Sequence, residues 1–466
     1  MKKAILFLTF ALTAFLIVFQ FTYTPKPWID EGLFTEMARN FAFHGVWGIQ
    51  TSPGNFTLMN VPQVSVGYPV ILPVALSLKI FGTGIWQARL PMLVFMFLLA
   101  VVFYLFVKKR YGFYNAIISV LLLISFAPFY GDGRPVIGEV PGLFFLVLGA
   151  YLLLLFEQGG FKSKKMAMLS GLAFGVACAT KEIYLLGVSG ALLISLIFWF
   201  KEIRDKKILW WYFAGFIPPI LVWVYIQLIS SHSLFTFIPS ILHLASNHGS
   251  SLSLSATILL NFKRFFTEST PVLFSFLLVS ILISFLYRYH KKDQKFSIAE
   301  CAVLSFIILN WLGYLAGTGW YRYFFPANTL LYLLFPGAVY NFSKSVNKNI
   351  LLLIPIALII FQFYYMVFDS KTSLVNNRTQ NLEVQTALAN IDPTKKVFFY
   401  NTAEAIIYLK GDNYGQYFYC DGCNLEGGDK NALDNPSYDY ILTDHSHSLP
   451  GYVKESVDEY YLFKKI

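Results

Sequence analysis

Apolar runs, each long enough to cross a membrane as a helix, recur along the first 368 residues of this 466-residue chain. Bilayer hydrocarbon is about 30 Å thick, and roughly 20 helical residues span it. Only 13% of the residues are charged, against roughly 25% in soluble proteins, so the runs are not the cores of soluble domains. They predict an all-α polytopic membrane protein with about eleven transmembrane helices, at roughly 4–23, 88–107, 114–130, 138–156, 166–180, 183–200, 209–229, 271–288, 298–316, 324–341 and 350–368.

Basic residues cluster in the short loops between these runs and predict an orientation. Lys2 and Lys3 precede the first run, and further clusters at 108–110, 162–165 and 201–207 follow the second, fourth and sixth runs. Loops rich in Lys and Arg stay in the cytoplasm, so we expect the N-terminus inside and the C-terminal segment outside. The same clustering explains the net charge of +10 without nucleic-acid binding. No small-residue cleavage site follows the first run, which we interpret as a retained signal anchor in a bacterial inner (cytoplasmic) membrane.

The chain is predicted to have two domains, a membrane module over 1–368 and a small α/β domain over 369–466 outside the membrane. The first outer connection, 24–87, is too long for a simple linker and is expected to carry function. Within it, the hydrophobic spacing predicts an amphipathic helix over 32–43, in the plane of the membrane interface, and a second helix over 69–81. The C-terminal segment is polar, with strand-like runs at 396–400, 438–443 and 460–464 and a helical run at 403–410.

Two adjacent carboxylates, Asp30 and Glu31, follow the first predicted helix at the outer membrane surface. A carboxylate in that place can act as a general base or bind a metal ion. The alternative is that Asp30 caps a helix beginning at Glu31, where the helix dipole favours negative charge. The local sequence leaves both interpretations open.

Glu139 and Lys181 lie at predicted outer ends of later helices. Glu139 opens the fourth membrane helix, and an ionisable group at membrane depth is by default a functional candidate because it is costly to bury. A structural ion pair with Arg134 is the alternative. Lys181 lies in a minimal outer turn, where the positive-inside bias disfavours lysine. A lipid phosphate is its natural counter-ion, and a surface pair with Glu182 is the alternative.

Two arginines on the outer side are further candidates. Arg322 lies in an aromatic stretch, WYRY at 320–323. It fits either a phosphate-binding role or an aromatic belt with a snorkelling guanidinium. Arg264 fits either an anionic head group or the flank of a membrane helix.

The histidine and cysteine patterns give weaker signals. His243 and His248 fit no familiar metal-site spacing. Cys420 and Cys423 form a CxxC, which in an oxidising exterior favours a tight disulfide over a zinc half-site, and the sequence does not decide between them.

The order and sidedness of these motifs resemble the GT-C-fold glycosyltransferases. An outer Asp-Glu follows the first helix, QARLP at 87–91 opens the second, and an Arg…Glu pair marks the fourth. A Lys then lies in the turn between the fifth and sixth, and an aromatic-Arg-Tyr-Phe-Phe-Pro sequence precedes a late helix. The branch most similar is the ArnT-like and protein O-mannosyltransferase-like group, glycosyltransferase families 39 and 83. The resemblance covers roughly residues 1–340 and is strongest over 28–140.

The resemblance implies an inverting transfer of a sugar from a polyprenyl-phosphate or dolichyl-phosphate donor, outside the cytoplasm, to an acceptor hydroxyl or phosphate. It matches Asp30 to the catalytic carboxylate of the family, with Glu31 as its acidic neighbour and Glu139 as a second acidic position. It matches Lys181 and Arg322 to positions near the lipid phosphate. Arg134 and Arg264, which are also predicted on the outer side, are two further candidates for binding that phosphate.

Several properties stay open at the level of sequence. The sugar is not specified, and the acceptor is a lipid, a protein or another glycan. Some relatives bind a divalent cation, but no ligand set is evident, so a metal is allowed and unassigned. The main alternative function is a flippase or transporter for a polyprenyl-linked glycan, which predicts charged helix centres or broken helices paired between two halves. The predicted helix interiors are nearly free of charge and no internal repeat is evident, which argues against it. A membrane scaffold that carries the 369–466 domain as a binding module is a third.

Overall fold

The structure is a computed structural model and describes residues 1–57, 65–202, 206–229, 253–291, 297–342, 348–370, 382–418, 433, 437–446 and 448–466. Most of these residues form helices packed around one large apolar core, and a small β-sheet lies near the C-terminus. Cys420, Cys423, His243 and His248 lie outside the described residues.

Helices account for the membrane part of the chain. In the described ranges they are α1 (Lys2–Val18), α2 (Ile29–His44), α3 (Tyr68–Phe81), α4 (Ile85–Tyr111), α5 (Phe113–Ser125), α6 (Glu139–Gln158), α7 (Lys164–Thr180), α8 (Glu182–Glu202), α9 (Ile208–Val224), α10 (Leu254–Thr267), α11 (Ser269–Lys291), α12 (Ile298–Ala316), α13 (Tyr321–Phe342) and α14 (Lys348–Phe368). A four-residue helix, Pro128–Gly131, lies between α5 and α6, and α15 (Leu382–Ala389) belongs to the C-terminal segment.

Each predicted membrane span overlaps one of these helices, because a continuous apolar run must satisfy its backbone hydrogen bonds internally. Within the described residues, five stretches are long and apolar enough to cross a membrane: Ile85–Tyr111, Glu139–Gln158, Ile208–Gln227, Ser269–His290 and Ile298–Ala316. Other apolar helices, such as α5, are shorter. The predicted all-α membrane fold is therefore confirmed, and the count of eleven spans stays a prediction.

The helix α2 is buried on all sides from Glu31 to Asn40. It contacts α3 and the short 3-10 helix Ala403–Tyr408 of the C-terminal segment. The helix predicted over 32–43 is formed as part of α2, but its polar side is buried, because polar side chains of α2 bind the C-terminal segment. Arg39 shows this clearly, since it donates to the carbonyl oxygen of Leu409 at 2.9 Å. The position of this helix in the plane of the membrane interface stays a prediction.

The strands in the described ranges are β1 (Ile49–Ser52), β2 (Asn55–Thr57), β3 (Val397–Tyr400), β4 (Tyr414–Tyr417), β5 (Tyr440–Thr443), β6 (Tyr452–Val457) and β7 (Tyr460–Lys465). The C-terminal segment carries a five-stranded sheet with strand order β4–β3–β5–β7–β6. The strand β3 is parallel to β4 and β5, and β7 is antiparallel to β5 and β6. A two-stranded hairpin, β1–β2, belongs to the first connection.

The predicted small β-containing C-terminal part is confirmed, and the three predicted strand runs correspond to β3, β5 and β7. The sequence missed β4, which contains Gly415 and Gln416, and β6, whose exposed middle holds Lys454 and Glu455. Neither strand shows the apolar alternation that marks a half-buried strand. The helical run predicted over 403–410 is a 3-10 helix.

The first connection and the C-terminal segment share one hydrophobic core. Leu33 and Met37 of α2 belong to the same buried cluster as Ile406, Leu442 and Leu462. The segment after residue 368 therefore packs against the first connection. The proposed domain boundary near residue 368 stays a prediction.

Candidate active site

Asp30 lies in the first turn of α2, just after the extended residue Trp28. The helix begins at Ile29 and has no side-chain cap, so the alternative in which Asp30 caps the helix is wrong. Asp30 instead forms an ion pair with Arg322, in the first turn of α13. The two side chains are 27% and 14% exposed, respectively, so a substrate can reach the pair.

Arg322 is held among aromatic rings. Its guanidinium carbon lies 5.1 Å from the ring centre of Trp28, 4.7 Å from that of Trp320 and 4.9 Å from that of Tyr323. Such cation–π contacts orient the guanidinium without using up its hydrogen bonds. Its Nε is buried and has no hydrogen-bond partner among the described residues. Arg322 therefore carries one unsatisfied donor that is shielded from solvent.

A second ion pair joins Glu139, the first residue of α6, to Lys181, in the turn between α7 and α8. Lys181 Nζ also donates to the carbonyl oxygen of Ile137 at 2.9 Å. Both side chains are buried, and Glu139 Oε2 has no hydrogen-bond partner within the described part of the chain. Nζ of Lys181 lies 5.9 Å from the ring centre of Tyr323, the same ring that contacts Arg322. Tyr323 thus links the two ion pairs.

The backbone around Lys181 is fixed by the end of the first connection. Val66 pairs with Lys181 in an antiparallel bridge, and the N–H of Gly67 donates to the carbonyl oxygen of Thr180 at 2.9 Å. A Cβ atom at Gly67 would lie 1.7 Å from the carbonyl oxygen of Ala179, so only glycine allows this approach. The first connection therefore positions both Asp30 and Lys181.

Asp132, in the loop between α5 and α6, is a site residue that the sequence analysis missed. No hydrogen bond or ion pair of its side chain occurs among the described residues, and the charges of Glu139, Lys181 and Arg322 all act on it. Burial, with a smaller effect from the Glu139 carboxylate, raises the pKa of Asp132 to about 8. The available signal was a lone acidic residue in a short loop between two apolar helices.

Glu31 is next to Asp30 in sequence but has a different environment. Its carboxylate accepts two hydrogen bonds from the buried Arg89, from Nε at 2.7 Å and from Nη2 at 2.6 Å. Both side chains are fully buried. This bidentate pair favours a structural role for Glu31 in place of the predicted catalytic one.

Arg134 is also structural, contrary to its predicted role in binding a lipid phosphate. It is fully buried and donates to the carbonyl oxygens of Leu16 and Phe19, both at 2.8 Å, and to Thr24 Oγ1 at 2.6 Å. The alternative ion pair between Arg134 and Glu139 is not formed, because Glu139 pairs with Lys181. Arg134 thus holds the segment that leads from α1 to α2, leaving no exposed surface for a phosphate.

Arg264, the remaining candidate, is bound by protein groups as well. Its Nε donates to Glu268 Oε1 at 2.8 Å and its Nη1 to the carbonyl oxygen of Gly319 at 2.5 Å. These contacts connect α10 to the loop before Arg322, and they do not support direct phosphate binding by Arg264.

A metal ligand set does not come together in the described residues. No group of three or more His, Cys, Asp or Glu side chains among them is arranged to hold an ion. Of the carboxylates at the site, Asp30 and Glu139 each pair with a cation. The described residues therefore do not fit the divalent cation that the resemblance allows, and no step below is assigned to one.

Comparisons with known proteins agree with this architecture. Residues 70–226 match the family model of dolichyl-phosphate-mannose-protein mannosyltransferase. The fold matches the crystal structure of ArnT from Cupriavidus metallidurans bound to undecaprenyl phosphate, with a TM-score of 0.65 and 12% identity over 99% of this chain and 98% of that one. No curated protein matches the sequence.

Archaeal oligosaccharyltransferase structures from Archaeoglobus fulgidus match as well. The apo form has a TM-score of 0.62 and 13% identity over 95% of this chain and 69% of that one. The oligosaccharyltransferase AglB from the same organism, in complex with an inhibitory peptide and a dolichol-phosphate, has a TM-score of 0.58 and 12% identity, with the same coverage. At these identities the structural likeness shows the fold. Together with the family match, it supports glycosyltransferase activity in general terms.

Proposed function

We propose that this chain, an integral membrane protein with the GT-C fold and an ArnT-like architecture, is an inverting glycosyltransferase that uses a polyprenyl-phosphate sugar as donor. The observation that carries the proposal is the accessible pair of Asp30 and Arg322. It offers a carboxylate to an acceptor hydroxyl and a guanidinium to a donor phosphate. A sugar transfer from a lipid phosphate needs these two groups side by side.

Arg322 is the proposed contact for the donor phosphate. A guanidinium binds phosphate through paired N–H groups, and the aromatic rings around Arg322 already set its plane. Lys181 lies near the Tyr323 ring that also contacts Arg322, and its ammonium adds positive potential. Glu139 holds that ammonium in place through the ion pair. The ArnT structure bound to undecaprenyl phosphate and the AglB complex with dolichol-phosphate support a lipid-phosphate donor for this fold.

In the proposed reaction the acceptor oxygen attacks the anomeric carbon from the face opposite the phosphate. The bond between that carbon and the phosphate oxygen breaks, and the polyprenyl phosphate leaves with the bonding electrons. Attack from the opposite face inverts the anomeric centre. Arg322 and Lys181 stabilise the negative charge that develops on the leaving phosphate, so no strong general acid is required.

Asp30 is the proposed base for the acceptor proton. It lies beside the guanidinium that binds the phosphate, and hence close to the anomeric carbon of a bound donor. When the donor phosphate takes over Arg322, the Asp30 carboxylate is released to bind the acceptor hydroxyl. Asp132 is a second carboxyl group near the site, without a side-chain partner among the described residues, and its protonation state adjusts how strongly the site attracts an anionic donor.

The proposed location of the reaction is the outer face of the cytoplasmic membrane. The positive loops predict that the N-terminus is inside, which puts Asp30 and the C-terminal sheet outside. The acceptor is a hydroxyl or phosphate on a lipid, a protein or a glycan.

Binding and transfer assays on the full-length protein test the proposal. In lipid nanodiscs, the protein is expected to bind undecaprenyl phosphate saturably by native mass spectrometry, and Arg322→Gln should weaken binding by about tenfold or more. Lys454→Gln, which removes an exposed lysine in β6, is the matched control and should bind normally.

The transfer assay uses radiolabelled undecaprenyl-phosphate sugars as donors and membrane lipids, proteins and glycans as acceptors. Release of undecaprenyl phosphate coupled to labelling of an acceptor is the expected result. No binding by the unaltered protein, or full transfer by Asp30→Asn, would overturn the proposal. Movement of the lipid-linked sugar across the bilayer without release of undecaprenyl phosphate would establish the transporter alternative instead.

A further inference from the structure

The polar side of α10 contacts the segment that leads from α12 to Arg322. The side-chain amide of Asn261 donates to the carbonyl oxygens of Leu315 at 3.1 Å and Gly317 at 2.9 Å, and lies 3.3 Å from that of Tyr314. The last carbonyls of a helix have no partner within the helix, and Asn261 supplies one for the end of α12. Asn261 is 3% exposed, so its amide is committed to this contact.

Arg264 extends the contact by one helical turn. Besides its bonds to Glu268 and to the carbonyl oxygen of Gly319, its guanidinium carbon lies 4.6 Å from the ring centre of Tyr321 and 5.7 Å from that of Tyr314. Glu268 in turn accepts a hydrogen bond from the Tyr321 hydroxyl. Arg264 and Glu268 therefore bind the loop on both sides of Trp320, immediately before Arg322.

The loop conformation requires this close approach. Gly319 has a φ of +70°, which favours glycine. A Cβ atom there would lie 2.3 Å from Asn261 Oδ1 and 2.6 Å from Arg264 Nη1. The side chains of α10 thus fill the space that a side chain at position 319 would otherwise occupy.

The opposite side of α10 is apolar and exposed. Leu259 is 71% exposed and Phe266 is 72% exposed, and Phe262 is exposed as well. A helix with one apolar exposed face and one polar bound face suits the boundary of a membrane protein. Contact with lipid on one face and with the loop on the other fixes α10 relative to the bundle.

We propose that Asn261 and Arg264 are positioning residues for Arg322, acting through the 314–321 segment, and that Arg264 does not itself contact the donor phosphate. The inference rests on the proposed function, because it concerns how the donor-binding guanidinium is placed. Without the two side chains, the loop loses its hydrogen bonds and Arg322 no longer meets Asp30 in a single geometry. Donor binding then weakens although the charge of Arg322 is unchanged.

Three variants on one helix test this proposal. Arg264→Gln removes the contact and one charge, and Arg264→Lys keeps the charge but loses the planar fork whose separate nitrogens donate to Glu268 and Gly319. Lys263→Gln removes one charge from the adjacent, exposed position and is the matched control. Undecaprenyl phosphate binding should fall about tenfold in both Arg264 variants and stay unchanged in Lys263→Gln. Restoration of binding by Arg264→Lys would instead show a direct charge contact and overturn the proposal.

A double-mutant cycle separates positioning from a general loss of fold. Arg264→Gln should lower binding about tenfold in the unaltered chain and have almost no further effect in an Arg322→Gln background, because its influence passes through Arg322. Equal effects in both backgrounds would overturn the inference. Asn261→Ala should show the same dependence on Arg322.

Hydrogen exchange provides a readout that does not depend on donor binding. The backbone amides of residues 317–323 should exchange faster in Arg264→Gln than in Lys263→Gln, with unchanged exchange in the C-terminal sheet. If the unaltered protein binds no undecaprenyl phosphate, the proposed function fails, whereas unchanged exchange in Arg264→Gln refutes the positioning role itself.

Discussion

Gly32 packs directly against the backbone of Ala403, 371 positions later in the chain, so that a Cβ atom on Gly32 would lie 2.4 Å from the Ala403 carbonyl oxygen. Gly32 follows Asp30 by two residues on the same helix. The C-terminal segment therefore touches the helix that carries the proposed base, and the absence of a side chain at position 32 is what permits it.

Substitution of Gly32 by alanine should impair both folding and transfer. Alanine normally stabilises a helix interior by up to about 1 kcal/mol over glycine, but overpacking costs about 1–3 kcal/mol, and the neighbouring backbone cannot move away cheaply. We expect a lower melting temperature in detergent and reduced sugar transfer. Gly313→Ala is the control, because Gly313 lies in α12 with open space at its Cβ position. Normal activity in Gly32→Ala would contradict the close approach.

Glu36 should make the stability of the protein depend on pH. It is buried in α2 and accepts hydrogen bonds from the backbone N–H of Gln50, from the Tyr414 hydroxyl and from the Gln416 amide, with Arg39 nearby. Burial raises its pKa to about 7 in the folded protein. The folded state therefore holds a proton that the unfolded state releases, and stability falls as pH rises from about 4.5 to 7.

The corresponding measurement compares Glu36→Gln with the unaltered protein at several pH values. The pKa difference corresponds to roughly 3 kcal/mol of free energy of unfolding, lost over that pH range in the unaltered protein only. Thermal melting at pH 5 and pH 8 should show the difference, and Glu36→Gln should flatten it. Glu455→Gln, an exposed change in β6, should leave the pH dependence intact. An identical slope in Glu36→Gln would refute the assignment.

Asp132 should control donor affinity through its charge. Its pKa of about 8 means that the carboxyl is largely neutral below pH 8 and negative above it. Because a negative charge there opposes the anionic donor, KM for the polyprenyl-phosphate sugar should rise above pH 8, and Asp132→Asn should remove the rise. An increase in kcat with a midpoint near pH 8, abolished by Asp132→Asn, would instead identify Asp132 as the base.

Substitution of Asp30 should affect catalysis and substitution of Glu31 should affect stability, although the two residues are neighbours. Asp30→Asn is expected to retain the fold and to lower transfer by about 10²- to 10⁴-fold, the usual contribution of a positioned base. Glu31→Gln leaves the buried Arg89 without its counter-charge, which costs about 3–5 kcal/mol. A lower melting temperature in Glu31→Gln but not in Asp30→Asn, with activity measured on the folded fraction, is the expected pattern. The reverse pattern would exchange their roles.

These neighbours also show what the sequence can and cannot predict. The apolar runs predicted the helices, because length and hydropathy are local properties, and the order of charged motifs placed Asp30, Lys181 and Arg322 at one end of the bundle. Successive residues of a helix point about 100° apart, so Asp30 faces Arg322 while Glu31 faces a buried arginine. No local pattern specifies which of two adjacent carboxylates turns inward.

Partners far apart in sequence explain the remaining differences. The sequence predicts an amphipathic helix over 32–43, but its polar side is buried, since Arg39 binds Asp412 and Glu36 binds Gln416, more than 370 positions away. Arg134 was predicted to bind a phosphate because its true acceptors are far away in the sequence. They are carbonyl oxygens at the end of α1 and in the segment that follows it. Arg89 carried a usable signal, an arginine near the start of an apolar helix, whose burial calls for a counter-ion.

The shared core of the first connection and the C-terminal sheet has a consequence for biosynthesis. Proteins are made from the N-terminus, so α2 is synthesised hundreds of residues before the strand that supplies Tyr414 and Gln416. Until the C-terminal segment has been made, Glu36 and Arg39 lack their hydrogen-bond partners and Gly32 lacks its contact with Ala403. The helix that carries the proposed base therefore reaches its final packing only after residues 403–416 have been made. A copy that stops before residue 403 would carry Asp30 and Arg322 but would lack the contacts that Gly32, Glu36 and Arg39 make with the C-terminal segment.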